Sequence, residues 1–246
     1  MRRGHSERLG GVCALVGTRS SRPEHVRATR DALAITVPSP DHVLTPAPDD
    51  GAGGLAAALA TRADWVWLFD GVTVPAPGAC AAFEVALERL AGLPAPLVLA
   101  SKVLDGRGAL HPDAAPRHEI FEKDLTVGAV ERGLVQLRAA PSGSLLIRRE
   151  AFERFGLPRT DLSPSWAAFE FTARVLQAHE DTGYLVPSSL AVRVVPPRPA
   201  GRRGGAVRAR ARLLAGPAWN ATERLWEGFL VAEGAVRGVR ESARRV

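Results

Sequence analysis

Apolar residues fall along this chain in short unbroken runs, separated by polar or helix-like stretches. Gly11 to Gly17 reads Gly-Val-Cys-Ala-Leu-Val-Gly, and Trp65 to Phe69 reads Trp-Val-Trp-Leu-Phe. Runs of this length without alternation predict strands covered on both faces, the pattern of a buried sheet in an α/β fold. Leu97 to Val103, Gly133 to Ala140 and Ser144 to Ile147 read as further strands, and Tyr184 to Val186 and Leu190 to Val195 as two short ones. Another lies somewhere in Ala34 to Leu44, where prolines blur the register.

Between these runs the period changes to that of helices. Pro23 opens a helix through Leu33 with the proline in its first turn, and Asp49 or Asp50 can cap a second through Gly54 to Arg62. Pro77 opens a third, with Ala82, Val85, Ala86, Leu87 and Leu90 as its apolar stripe. A fourth runs from Arg149 to Phe155 and ends at Gly156, and a fifth from Trp166 to His179. Pro112 to Asp124 is polar and reads as a loop crossing the site. The alternation predicts an α/β domain over residues 1–195, a Pro/Arg/Gly linker over 196–204 and a helical tail over 205–246.

Composition alters this picture at two points. The net charge of +6 belongs to the tail, which from Pro197 onward carries eleven arginines against four glutamates. In the tail Leu225, Phe229, Ala232, Val236 and Val239 recur at helical spacing, so a packed amphipathic helix with solvated arginines and a membrane-docking helix both fit. Nucleic-acid binding fits the charge but has no motif behind it. The two cysteines, Cys13 and Cys80, lie in apolar stretches and read as buried thiols of a reducing compartment. No run reaches the ~18 apolar residues of a membrane span. The expectation is a cytoplasmic protein, soluble or held at the inner face of the membrane.

Asp70 stands at the C-terminal end of the Trp65 to Phe69 strand, the edge at which open α/β sheets bind ligands. The bland alternative is that its carboxylate caps the turn that follows. His111, His118 and His179 lack any ligand spacing and read as surface residues.

Three segments resemble family 2 glycosyltransferases, inverting enzymes of the GT-A fold, across roughly Val12 to Val195. The opening ALVGTRSSRPEHVRATRDAL is similar to the family's first strand, Thr-x-x-Arg-Pro loop and helix. The resemblance makes Thr18 and Arg22 donor-side residues. GGLAAALATRADWVWLFDGVTVPAPG is similar to the family's glycine-led helix and its Asp-x-Asp strand, with Asp70 on the first acidic position and Val72 on the last. That valine offers no ligand to a divalent cation, so only weak Mg²⁺ or Mn²⁺ binding through Asp70 is implied. SGSLLIRREAFERFGLPRTDLSPSWAAFEFTARV resembles the acceptor half, whose Trp-Asp-Asp-x-Glu motif reads Trp166, Ala167, Ala168, Phe169, Glu170 here. Arg193 stands where the family often has a histidine near the metal.

The resemblance thus implies transfer of a sugar from a nucleotide-diphosphate donor to the hydroxyl of a glycan or lipid-linked acceptor, as in cell-envelope synthesis. Asp70 and Glu170 are the catalytic candidates, and Thr18, Arg22, Asp70, Trp166 and Arg193 the substrate-binding ones. Glu170 is the one carboxylate left in its motif to accept the acceptor's proton, but it also stands one helical turn from Arg174 and can pair with it. Arg193 is either a solvent-facing strand residue or a guanidinium that neutralises the diphosphate in place of a metal. With both motif aspartates replaced, the competing function is an inactive homologue retained as a binding or assembly subunit.

Overall fold

The computed structural model describes residues 9–18, 21–47, 50, 53–118, 123–177 and 182–196. The chain divides into a unit ending at Pro196 and a second unit from Pro197 to Val246. The second unit, and with it the expected linker and basic tail, lies outside the described residues.

Nine strands form one mixed sheet: β1 (Val12–Val16), β2 (His42–Leu44), β3 (Trp65–Phe69), β4 (Thr73–Pro75), β5 (Pro96–Leu104), β6 (Arg117–His118), β7 (Val135–Ala139), β8 (Ser144–Arg148) and β9 (Thr182–Arg193). Their order is β2-β1-β3-β8-β5-β9-β7-β6, with β4 attached to β9. β1 runs parallel to β2 and β3, and β5 parallel to β9, while β8 lies antiparallel to both β3 and β5. The helices are α1 (Pro23–Ala34), α2 (Gly53–Ala60), α3 (Ala79–Arg89), α4 (Lys123–Glu131), α5 (Arg149–Phe155) and α6 (Pro164–Val175).

Successive strand residues face opposite sides, so each unbroken apolar run feeds two cores. Leu15, Val66, Val98 and Leu145 pack with Leu55 of α2, Phe152 of α5 and Phe171 of α6. Ala14, Trp67, Leu99 and Leu146 pack on the other face with Leu33 of α1, Phe83 of α3 and Ala129 of α4. The continuous burial read from the sequence is therefore a sandwich of helices around one sheet.

Four expectations need correction. The two short strands near the end are one strand, β9, in which Val186 pairs with Ser101 and Leu190 with Lys102, leaving residues 187–189 to bulge out. Pro187 has no N–H to give the ladder, so the strand breaks register there and resumes. The loop expected over 112–124 instead holds a 3₁₀ turn at Pro112–Ala114, β6 and the start of α4. Val127 and Val130 of α4 are more than half exposed while Ala129 is buried, so no apolar stripe announced the helix. In α3 Val85 is exposed, and Cys80 and Phe83 face the core instead. His111 is fully buried: its Nδ1 accepts from the Asp113 N–H, which leaves Nε2 to donate to the Val195 carbonyl at 3.1 Å.

Buried serines tie the sheet to α3 through a chain of hydroxyls. Trp67 Nε1 donates to Ser144 at 2.9 Å, and Ser189 donates to the Ala79 carbonyl at 2.9 Å. Ser101 bridges these two hydroxyls at 2.6 and 2.8 Å. An indole can only donate and a carbonyl can only accept, so every O–H in the chain points from Trp67 toward Ala79.

Both cysteines are buried free thiols. Burial pushes the Cys80 thiol up to about 12, with Glu84 and Asp41 adding to the effect, and burial also raises Cys13. A maleimide at pH 8 is expected to label neither cysteine in the folded protein and both in urea; rapid native labelling would show that these positions open.

Candidate functional site

Because β1 and β3 are parallel neighbours with Val16 opposite Phe69, the residues that follow them emerge side by side at one sheet edge. The Gly17 N–H bonds to the Phe69 carbonyl at 2.8 Å, which carries the pairing one residue past the strands. Gly71, at a φ of 72°, makes the turn after Asp70, and a Cβ there would stand 1.9 Å from the Gly17 carbonyl oxygen. Only glycine fits that approach. The Ser21 hydroxyl donates to the Asp70 carbonyl at 3.0 Å, and Thr18 Oγ1 donates to the Pro46 carbonyl at 2.9 Å, binding the loops after β1, β2 and β3 together.

β4 follows this turn and pairs with the end of β9, with Thr73 opposite Arg193. That pairing delivers Arg193 to Asp70, and one guanidinium nitrogen bonds Asp70 Oδ2 at 2.6 Å. The Arg193 and Asp70 side chains are only 12% and 8% exposed, so this is a nearly buried ion pair. Asp70 Oδ1 accepts from the Val72 N–H at 3.2 Å, so the turn-capping role also holds. Val72 is itself buried, and its carbonyl accepts from Val194, which clamps the end of β9 beside the turn.

A cleft of about 200 Å³ opens at this edge. Thr18 and Asp70 line it, facing Pro46 and Asp50, and its opposite side is built by the segment between α5 and α6 together with Ala167 and Ala168. That segment is held by Arg174, which bonds the Phe155 carbonyl and donates to the Leu157 carbonyl at 3.0 Å. The same guanidinium donates from Nε to Glu170 Oε1 at 3.0 Å.

The residues singled out from the sequence divide accordingly. Thr18, Asp70 and Arg193 are brought to one place. Arg22 caps α1 with its side chain 78% exposed, 3.8 Å from Glu24, and does not line the cleft. Trp166 packs edge-on against Phe169 at 5.8 Å between centroids and does not line the cleft either. Glu170 is buried, engaged by Arg174 and also away from the cleft. Ser142, which no motif pointed to, lines the cleft, is 5% exposed and has a hydroxyl with no hydrogen-bond partner among the described residues. Its sequence signal, a serine in the Pro-Ser-Gly-Ser turn before β8, is indistinguishable from that of an ordinary turn residue.

The donor set does not suit a divalent cation. Asp70 is already neutralised by a guanidinium, Val72 supplies no oxygen from its side chain, and among the described residues no group of three or more His, Cys, Asp or Glu converges.

No protein-family model matches the sequence, and comparison with curated proteins finds no match. Solved structures do match in fold. One is GalNAc-T7 with UDP, GalNAc and Mn²⁺, with a TM-score of 0.50 and 11% identity over 85% of this chain and 48% of that one. The chain thus spans about half the length of that protein. Another is the mannosyltransferase PcManGT from Pyrobaculum calidifontis in complex with GDP-Man and Mn²⁺, with a TM-score of 0.53 and 15% identity over 98% of this chain and 77% of that one. The mixed sheet with helices on both faces has the GT-A glycosyltransferase fold.

Proposed function

We propose that this chain is a glycosyltransferase of the family 2 type, which binds a nucleotide-diphospho-sugar in the cleft beside Asp70 and transfers the sugar with inversion. The observation that carries the reading is the Arg193–Asp70 pair, a fixed positive charge at the sheet edge where the loops after β1 and β3 meet. A departing nucleoside diphosphate gains negative charge, and a preorganised cation in a partly dehydrated site stabilises it strongly. In the neighbours GalNAc-T7 and PcManGT the nucleotide is accompanied by Mn²⁺. Here a guanidinium takes the role. Arginine has five N–H donors, so Asp70 can orient it while other N–H groups reach the diphosphate.

Thr18 lines the nucleotide side of the cleft, and Arg22, exposed at the start of α1, adds a second cation for the diphosphate. Trp166 stands at the start of α6 near the acceptor half. Glu170 holds the cleft wall through Arg174 instead of contacting substrate. A second reading, a donor-binding subunit without turnover, is favoured by Ala167 and Ala168, which bring no ionisable group to the cleft they line.

Isothermal titration with UDP-, GDP- and dTDP-sugars, in EDTA and in Mn²⁺, tests the proposal. One donor is expected to bind in EDTA with an affinity that Mn²⁺ changes by less than about threefold, under 1 kcal/mol. Binding that strictly requires Mn²⁺ would sink the arginine-for-metal reading. A bound donor that is never consumed, with glycan or lipid-linked acceptors present, would select the binding subunit.

A further inference from the structure

We infer that the acceptor is a phosphate monoester carried on an apolar chain, so that the attacking oxygen reaches the cleft already ionised. This rests on the donor-site reading above and extends it to the other half of the cleft.

The first observation is the chemistry of that half. Leu157, Pro158, Leu162, Pro164, Ala167 and Ala168 line it, an apolar surface suited to hydrocarbon and ill suited to the many hydroxyls of a sugar. The second is its proton inventory. A neutral hydroxyl acceptor must lose a proton as it attacks, and a base within hydrogen-bond reach normally takes it. Among the described lining residues the carboxylates are Asp70, held by Arg193, and Asp50, across the cleft beside Pro46 and Ala47. Glu170 is turned into Arg174 and does not line the cleft. A phosphate monoester needs no base, because with a second pKa near about 6 it is largely a dianion at neutral pH.

The third observation is that this half does offer groups for a phosphate. Ser142 presents the nearly buried hydroxyl without a partner, a donor awaiting an acceptor. Arg159 is the cation among the described lining residues, bonded to Asp161 at 2.9 and 2.7 Å in an exposed pair. Exposed pairs of this kind contribute only about 0–1 kcal/mol, so a phosphate can draw the guanidinium away at little cost. The step balances without proton transfer. A phosphate oxygen forms a bond to the anomeric carbon as the bond from that carbon to the donor's β-phosphate oxygen breaks. The electron pair leaves with the nucleoside diphosphate, and its added charge faces Arg193.

The test uses the full-length protein with the donor found by titration and three acceptors: farnesyl phosphate, farnesol and octyl glucoside. Transfer to farnesyl phosphate alone is expected, with a rate that rises as the phosphate loses its second proton and is level above about pH 7. Ser142→Ala and Arg159→Gln are each expected to raise the KM for farnesyl phosphate about tenfold or more, as for the loss of a charge-assisted hydrogen bond, with donor affinity unchanged. Transfer to farnesol or octyl glucoside, or a rate that keeps climbing to pH 9, would overturn the inference, as would a KM indifferent to both substitutions. If the donor binds and farnesyl phosphate neither binds nor accepts sugar, this inference fails and the donor site stands. If no nucleotide-sugar binds, it is the donor-site reading that fails.

Discussion

Arg193→Ala is expected to weaken donor binding by about 2–5 kcal/mol and to destabilise the fold by about 3–5 kcal/mol, because both losses come from the same guanidinium. Its removal leaves the Asp70 carboxylate, 8% exposed, with the Val72 N–H as its remaining described partner. Stability alone would not separate an architectural pair from a ligand-binding one. The neutral pair Asp70→Asn with Arg193→Gln keeps a hydrogen bond without charge, so it should regain most of the stability, measured by urea unfolding, but not the donor affinity. Asp70→Asn alone leaves Arg193 charged and less engaged, and donor binding in EDTA should persist or tighten. If Asp70→Asn abolished binding while Arg193→Gln left it intact, Asp70 would be the binding group and the arginine its support.

The second large effect is expected at Arg174, which fastens α6 to the segment that walls the cleft. Arg174→Ala removes bonds to Glu170 and to the Phe155 and Leu157 carbonyls, and leaves a buried carboxylate behind. A loss of about 3 kcal/mol in unfolding free energy is expected. Glu170→Gln keeps the shape and one acceptor oxygen, so it should cost about 1 kcal/mol and change kcat less than about threefold. A general base behaves otherwise: its amide variant should fold normally and lose about 10²–10⁴ in kcat. Measuring melting and turnover on the same variants decides between the two roles of Glu170.

Much of the framework was legible along the chain. The run from Trp65 to Phe69 coincides with β3, and the Pro23 and Gly156 signals mark the ends of α1 and α5 within a residue. These elements carry local causes: unbroken apolar runs, a proline in a first turn, a glycine after a last one. Where local cause was weak, the reading failed. Pro187 looked like the end of a strand, but pairing with β5 on one side carries β9 past it, and α4 lacks a stripe because Ala129 is its one described residue in the core. The Val85 error has the same origin, since a phase shift of one residue in a short helix is settled by what the helix packs against.

For the site, the residue sequence determined which groups could matter: a carboxylate at a strand end, a valine where a second ligand would stand, alanines in place of two aspartates, and an arginine near the end of the last strand. It determined these because chemistry belongs to residue type, which the sequence states outright. Only the tertiary structure decided which of them meet. Asp70 and Arg193 are 123 positions apart and touch because Thr73 pairs with Arg193 after a turn that Gly71 makes possible. Glu170 and Arg174 satisfy each other one helical turn apart, and that local bond turns the carboxylate away from the cleft which its own helix helps to form. Pairing across a sheet and competition for partners are properties of the folded chain, and they divide one list of candidates into a donor cation, a wall fastening and a bare apolar half.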